Sequence, residues 1–394
     1  MKQATNDPQP AAKQKILFVV NDSWFFVSHR LPVAEAAIAE GYTVELAALE
    51  DETTALVSSR GIGFHNWQLS PRSTGVIREF AALRNLYKII KRSKPDILHL
   101  VTIKGVLYGG VIARLLGVRN VVFAISGMGR VFTATSGKER VLQYLARLVY
   151  KFVLGHRNSS VIVQNDRDRQ LFVEYWKVDP ARVISSPGSG VDLDQFKPLQ
   201  QVSDPAVVLF ASRMLWAKGV ETFVEAARQL KSDGSSARFI LAGDTDPEND
   251  TAVPVDVLQN WHDEGIVEWI GHVKDMPALM AEASVFVLPT VYGEGIPKVL
   301  LEASAAGRAI VATDWPGCTD VVDDSVNGLL VATKDPEQLS QALKKLLDAP
   351  ELARKFGQAG RLKAEELYSV ETVVKLTLAV YATLLASSSA KPNP

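Results

Sequence analysis

Short unbroken apolar runs alternate along this chain with longer segments whose apolar residues recur every three or four positions. The runs KILFVV (15–20), TVELAAL, DILHLV, NVVFAIS and SVIVQN come first. Between them lie RLPVAEAAIAEGY, VIREFAALRNLYKIIKRS, KGVLYGGVIARLLG and KERVLQYLARLVYKFVL. Apolar runs of strand length separated by helix-periodic segments predict a parallel sheet covered on both faces. The pattern breaks at SSPGSGVDLDQFKPLQQVSDP (185–205), which is rich in Gly, Pro, Ser and Asp. A second series follows, with AVVLFAS, ARFILAG, VEWIG, SVFVLP, AIVAT and GLLVA as strands. The expected architecture is α/β, with two Rossmann-like domains facing each other across a cleft. They would span 15–195 and 196–369, and a last helix at 370–386 could cross back to the first. Residues 1–14 and 387–394 read as disordered tails.

Length and composition narrow the class. At 394 residues the chain has room for two such domains. Apolar stretches look broken by charge before reaching membrane-span length. The polar start MKQATNDPQPAAKQ lacks the apolar segment of a signal peptide. One cysteine, Cys318, excludes an internal disulfide and a cysteine zinc cage. These features suit the cytoplasm. The net charge of −1 hides an asymmetry. Residues 1–197 carry 26 Lys and Arg against 17 Asp and Glu, a net of +9, and the remainder carries −10. Either the basic half meets an anionic partner or the two solvated surfaces simply differ.

Candidate chemistry concentrates in the second half. In VYGEGIPKVLLEASAAG (291–307), Glu294 falls in a loop and Glu302 inside the helix behind it. Pro297 suits a helix start and Gly307 a helix end. Backbone N–H groups between the two acids would face an anion, with the positive helix end behind them. Carboxylates accept hydrogen bonds from sugar hydroxyls, so the stretch fits a sugar nucleotide. In FASRMLWAKGVETF, Arg213 and Lys218 frame a strand-to-helix loop and suit a diphosphate. Read apart from this site, the two acids are ordinary helix charges and the two cations ordinary surface charges.

The motifs SRMLWAKG, GSGVDLDQF and EGIPKVLLEASAAG resemble the family 4 retaining glycosyltransferases, which have the GT-B fold. WFFVSHRLP, PDILHLVTIKGVLYG, SGMGRVF, VIVQND, DMPALM and TDWPGCTDVV are similar to the bacterial members that extend undecaprenyl-diphosphate-linked sugars. The resemblance covers roughly residues 15–385. It implies that Arg213 and Lys218 hold the donor diphosphate, Glu294 meets the transferred sugar and Glu302 the ribose. Gly295, Ile296, Pro297 and Lys298 would lie along sugar and phosphate, and Val273, within GHVKDMP, beside the base. It further implies a nucleotide sugar as co-substrate, no metal or other cofactor, a lipid-linked acceptor and retained anomeric configuration. Many members place a His after the fourth strand. Here the loop reads HLVTIKG, so Lys104 is the substitute and His99 reads as structural.

Other motifs bear on the acceptor. WFFVSHRLP reads as a loop after the first strand. Its aromatics could stack on a sugar or touch lipid while Ser28, His29 or Arg30 reaches a diphosphate, or they could pack in the core. In SGMGRVF, Gly127 and Gly129 permit close backbone approach, but the third Gly of a dinucleotide fingerprint is missing. GDTDPEND holds Asp244 and Asp246 in a metal-like spacing but reads as a solvated acidic loop. Residues 72–94 hold seven Lys or Arg and one Glu, and Arg140, Arg147 and Lys151 form a stripe on the next basic helix. Such helices either lie on an anionic membrane or pack on their own sheet. Nucleic acid is not indicated. The functions left open are a glycosyltransferase peripheral to the inner face of the cytoplasmic membrane, a nucleotide-sugar 2-epimerase, and a non-catalytic membrane scaffold.

Overall fold

The computed structural model describes residues 13–69, 75–127, 147–198, 204–246, 249, 251–293 and 295–389. Two parallel sheets organise the chain. The first contains β1 (Lys15–Asp22), β2 (Thr43–Leu49), β3 (Gly63–Asn66), β4 (Ile97–Val101), β5 (Asn120–Ala124), β6 (Ser159–Val163) and β7 (Val183–Ser185), in the order 3-2-1-4-5-6-7. The second contains β8 (Val207–Ala211), β9 (Arg238–Ala242), β10 (Glu268–Gly271), β11 (Val285–Leu288), β12 (Ala309–Thr313) and β13 (Gly328–Val331), in the order 10-9-8-11-12-13. Strand order reverses between β1 and β4 and again between β8 and β11. In doubly wound sheets, ligands bind at such switch points, beyond the carboxyl ends of the strands.

Eleven strands formed where the apolar runs predicted them, whereas the short strands β3 and β7 were marked by no such run. Every residue of β4, β5, β6, β8, β11 and β12 is buried. With both faces covered, nothing selects for polar alternation. Register pairs Phe18 with His99 in the first sheet and Leu209 with Phe286 in the second.

The chain folds as two units. Of the described residues, one unit takes 13–124, 147–162 and 377–389, and the other 125–127 and 163–376. Helix Val370–Ser389 therefore contributes its later residues to the first unit. There Tyr381 and Leu384 are buried, and the Leu384 carbonyl accepts from Asn158 Nδ2 at 3.0 Å. Residues 370–388 are long and apolar enough to cross a membrane, by length and composition alone. Glu371 and Lys375 fall within its first six residues and leave 376–388 as its uncharged part.

The segment expected as a loop after β1 is helical. Asp22 accepts the Phe25 amide at 2.7 Å and starts helix Ser23–His29, which passes through Arg30 into helix Leu31–Ala39. Its aromatics do not share one exposure. Trp24 is 49% exposed, whereas Phe26 is fully buried against Phe18. An N-cap and a buried ring on consecutive turns outweigh the loop-like look of the sequence.

Candidate active site

In the second unit, three loops at the carboxyl edge of the sheet are tied together. The loop after β8 contains Arg213 and Lys218, and the loop after β11 contains Thr290 and Tyr292. Val291 donates to the Ala217 carbonyl at 2.9 Å, and Thr290 Oγ1 donates to the same oxygen at 3.2 Å. The approach is so close that a Cβ on Gly219 would lie 2.1 Å from the Pro289 carbonyl oxygen. Gly219 also has φ +83, where glycine alone is comfortable. The loop after β9 joins the same edge, because Met214 donates to the Asp244 carbonyl at 3.0 Å. Gly243 in turn donates to the Gly271 carbonyl, which brings the segment with Val273 alongside.

Lys218 is buried, and its Nζ sits 5.1 Å from the Tyr292 ring centroid. A buried ammonium is costly unless electron-rich groups surround it, and an aromatic face supplies part of that compensation. Trp315 Nε1 donates to the Tyr292 carbonyl at 3.2 Å and steadies the ring's backbone. Arg213 is exposed at the same edge. A compact buried cation beside an exposed guanidinium suits an anion that reaches in from solvent.

Helix Lys298–Ala305 begins after Pro297, which serves as N-cap rather than as the first helical residue. Lys298 Nζ and Glu302 Oε1 are 3.3 Å apart across one turn, and the Glu302 side chain is largely buried. The amides before the helix are not all available. Gly295 donates to the Ser126 carbonyl at 3.2 Å, and Ile296 donates to Gln164 Oε1 at 3.2 Å. This corrects the expectation that the N–H groups between the two acids face a ligand. The first helical amides, those of Lys298 and Val299, are the ones a helix leaves outside its own ladder. Gly295 is packed so tightly that a Cβ would lie 2.1 Å from Gln164 Oε1. Glu294 and Gly129 lie outside the described residues.

Gln164, Tyr292 and Asp320 are site-edge residues that sequence reasoning missed. The stretches that hold them, VIVQND, VYGEGIPK and TDWPGCTDVV, were visible, but these three residues had no assigned contact. Asp320 accepts the Gly317 amide at 3.0 Å. Burial raises its pKa and that of nearby Asp168. Among the described residues, no three His, Cys, Asp or Glu side chains gather as a metal cage. Asp244 is exposed, and its carbonyl serves the Met214 turn.

The residues expected on the acceptor side divide. Lys104 Nζ lies 2.8 Å from Glu79 Oε1 in the first unit. His29 is half-buried and stacks on Phe25, with ring centroids 4.1 Å apart, while Ser28 is half-buried beside it. Arg30 is buried, donates to the His29 carbonyl at 3.0 Å, and has its pKa lowered by desolvation to about 10. It faces the core rather than solvent. Gly127, at φ +108, belongs to the second unit next to Ser126.

Comparison with known proteins gives this arrangement its class. Residues 15–165 match the family model described as glycosyl transferase 4-like, and residues 205–349 match that of glycosyl transferases group 1. The chain is 25% identical over 339 residues to the N,N'-diacetylbacillosaminyl-diphospho-undecaprenol alpha-1,3-N-acetylgalactosaminyltransferase of Campylobacter jejuni, covering 82% of this chain and 86% of that one. It is 26% identical over 293 residues to the UDP-Gal:alpha-D-GlcNAc-diphosphoundecaprenol alpha-1,3-galactosyltransferase of Escherichia coli, covering 70% and 73%. Among solved structures it is similar to Anabaena HepE in complex with UDP and glucose, with a TM-score of 0.73 and 16% identity over 94% of this chain and 99% of that one. The fold and the matched halves define an enzyme that transfers sugars. The chain belongs to the group 1, GT4-type glycosyltransferases of GT-B fold.

Proposed function

We propose that this glycosyltransferase moves a hexose or N-acetylhexosamine from a UDP-linked sugar to a polyprenyl-diphosphate-linked sugar during surface polysaccharide assembly, with retention of configuration. The observation that carries the donor half is the burial of Lys218 against Tyr292, beside exposed Arg213. Arg213 and Lys218 take the donor diphosphate. The amides of Lys298 and Val299 offer a further positive helix end. Glu294 meets the transferred sugar and Glu302 the ribose hydroxyls. Gly295, Ile296 and Pro297 shape the loop between them, and Val273 lies beside the base. The leaving phosphate oxygen takes the acceptor proton as departure and attack proceed on one face, while the two cations stabilise the developing charge. No metal is required in this scheme, so transfer should survive EDTA.

The lipid-linked acceptor is supported by the named substrates of the Campylobacter and Escherichia coli relatives. Attachment to the inner face of the cytoplasmic membrane is supported by the basic helices of the first unit. Lys151 adjoins exposed Phe152 in the same helix as exposed Leu148, and the Arg114 guanidinium lies 4.5 Å from the Phe152 ring centroid. Arg140 of the basic stripe lies outside the described residues. Ser28, His29, Lys104 and Gly127 remain candidates for acceptor contacts. Arg30, being buried, would act through His29. The test is a panel of UDP-, GDP- and dTDP-sugars with short-chain polyprenyl-diphosphate sugars, read by mass spectrometry. A UDP-sugar dependent mass increment on the acceptor is expected. Steady UDP-sugar isomerisation without acceptor would favour the epimerase instead.

A further inference from the structure

Helix Val76–Ser93 joins two features of the first unit. Ile77 is 86% exposed and Phe80 69%. Arg84, Lys88 and Lys91 are exposed further along. At 3.6 residues per turn these five share one face, apolar at its start and basic beyond. Glu79 projects from the other side. Its Oε1 accepts Lys104 Nζ at 2.8 Å, and its Oε2 accepts the Tyr108 hydroxyl. Both partners stand on helix Ile103–Leu116, Lys104 in the first turn.

The base of that turn is held firmly. Thr102 has φ +67, a costly conformation for a β-branched residue, and its Oγ1 donates to Asn21 Oδ1 at 2.7 Å. A Cβ on Gly105 would lie 3.0 Å from the Val19 carbonyl oxygen. The Lys104 backbone is therefore fixed from below, and its tip is held by the Glu79 carboxylate on helix Val76–Ser93.

We propose that Glu79 is a positioning residue that couples contact with an anionic lipid surface to the acceptor side of the enzyme. The surface seats on Ile77 and Phe80 and steadies the first turn of their helix. That turn aims the carboxylate that orients Lys104 and Tyr108. The occupant is lipid rather than a second copy, because the exposed face continues into cations with no acid among them. Two such faces would repel each other, whereas anionic headgroups attract each cation. This inference rests on reading Lys104 as an acceptor-binding residue.

The test uses the full chain and a water-soluble short-chain acceptor, so that lipid acts on the enzyme and not on acceptor delivery. Transfer is measured without vesicles, with phosphatidylcholine vesicles, and with vesicles containing phosphatidylglycerol. Wild type is expected to gain about tenfold from the anionic vesicles only, a usual size for coupling between two sites. Ile77→Ser with Phe80→Ser should lose that gain. Glu79→Gln should still co-sediment with vesicles yet lose the gain, through a raised acceptor KM and an unchanged donor KM, and Glu79→Asp should restore part of it. A Glu79→Gln enzyme stimulated like wild type overturns the coupling. So does a change of oligomeric mass in the Ile77/Phe80 variant with stimulation intact. Acylation of Lys104 by an amine reagent, read by mass spectrometry, gives an answer independent of transfer. Protection on anionic vesicles in wild type but not in Glu79→Gln supports the coupling even if no donor is turned over, an outcome that would sink the proposed reaction alone. Labelling unchanged by vesicles in wild type contradicts the coupling.

Discussion

The Tyr381 hydroxyl lies 2.6 Å from Nδ1 of His99, 282 residues earlier in the chain. His99 also stacks on Phe18 at 4.7 Å, so the imidazole joins the C-terminal helix to the middle of the first sheet. Burial holds its pKa well below the usual 6.5, and the nearby Arg30 charge adds to the effect. The ring is neutral in the fold, which suits a structural role.

Tyr381→Phe should destabilise the chain by about 1–3 kcal/mol, because it leaves a buried ring nitrogen unpaired. The pH dependence has a definite sign. The unfolded chain takes up a proton at His99 below about pH 6.5, whereas the folded chain resists it. Stability should therefore fall as pH drops through that value, and His99→Phe should flatten the slope. Urea midpoints on either side of it decide the matter. Identical slopes in wild type and His99→Phe would show that another group controls the acid limb.

Two glycines with nearly the same φ should respond very differently to alanine. Gly219 (φ +83) would drive a Cβ to 2.1 Å from the Pro289 carbonyl, whereas Gly234 (φ +85) has open space around it. Gly234→Ala should cost only the left-handed penalty, about 1–2 kcal/mol. Gly219→Ala should cost more and should weaken donor binding, since the loop carrying Lys218 must move away from the Tyr292 loop. Thermal midpoints with titration of UDP distinguish the two, and equal effects would mean that the close approach is not needed.

Glu302 and Glu351 both form ion pairs along one helical turn, but their settings differ. Glu302 is largely buried beside Lys298, whereas Glu351 and Arg354 are exposed. Glu302→Ala should raise the donor KM about tenfold, equivalent to about 1.4 kcal/mol, with a smaller change in kcat. Glu351→Ala should leave kinetics unchanged and stability nearly so. Comparable kinetic losses in both would remove Glu302 from the donor site.

Much of the fold could be read because buried parallel strands are written as apolar runs. SVFVLP and AVVLFAS sit where such runs must, and their carboxyl ends locate Lys218 and Lys298 without knowledge of any contact. The segment WFFVSHR misled, because exposed Trp24 and buried Phe26 look alike in a sequence and only the Asp22 cap shows that a helix begins there. Gln164 and Tyr292 were not legible at all. Their roles depend on how closely separate loops approach, a distance that glycines such as Gly219 and Gly295 permit without specifying. The amides of Gly295 and Ile296 show the same limit from the other side, since their spacing suggests an anion site while their partners lie at Ser126 and Gln164.

The central claim is that Lys218 and its neighbours at the second sheet's edge drive departure of a nucleotide diphosphate. Its most direct test is the initial rate of sugar transfer to a short-chain polyprenyl-diphosphate sugar, followed by mass spectrometry, in wild type and Lys218→Ala. The account predicts a rate 10²–10³ lower in the variant, about 3–4 kcal/mol of lost transition-state stabilisation, with an unchanged unfolding midpoint. Glu294→Gln should fall in the same range. A Lys218→Ala enzyme that is folded and turns over near the wild-type rate would contradict it.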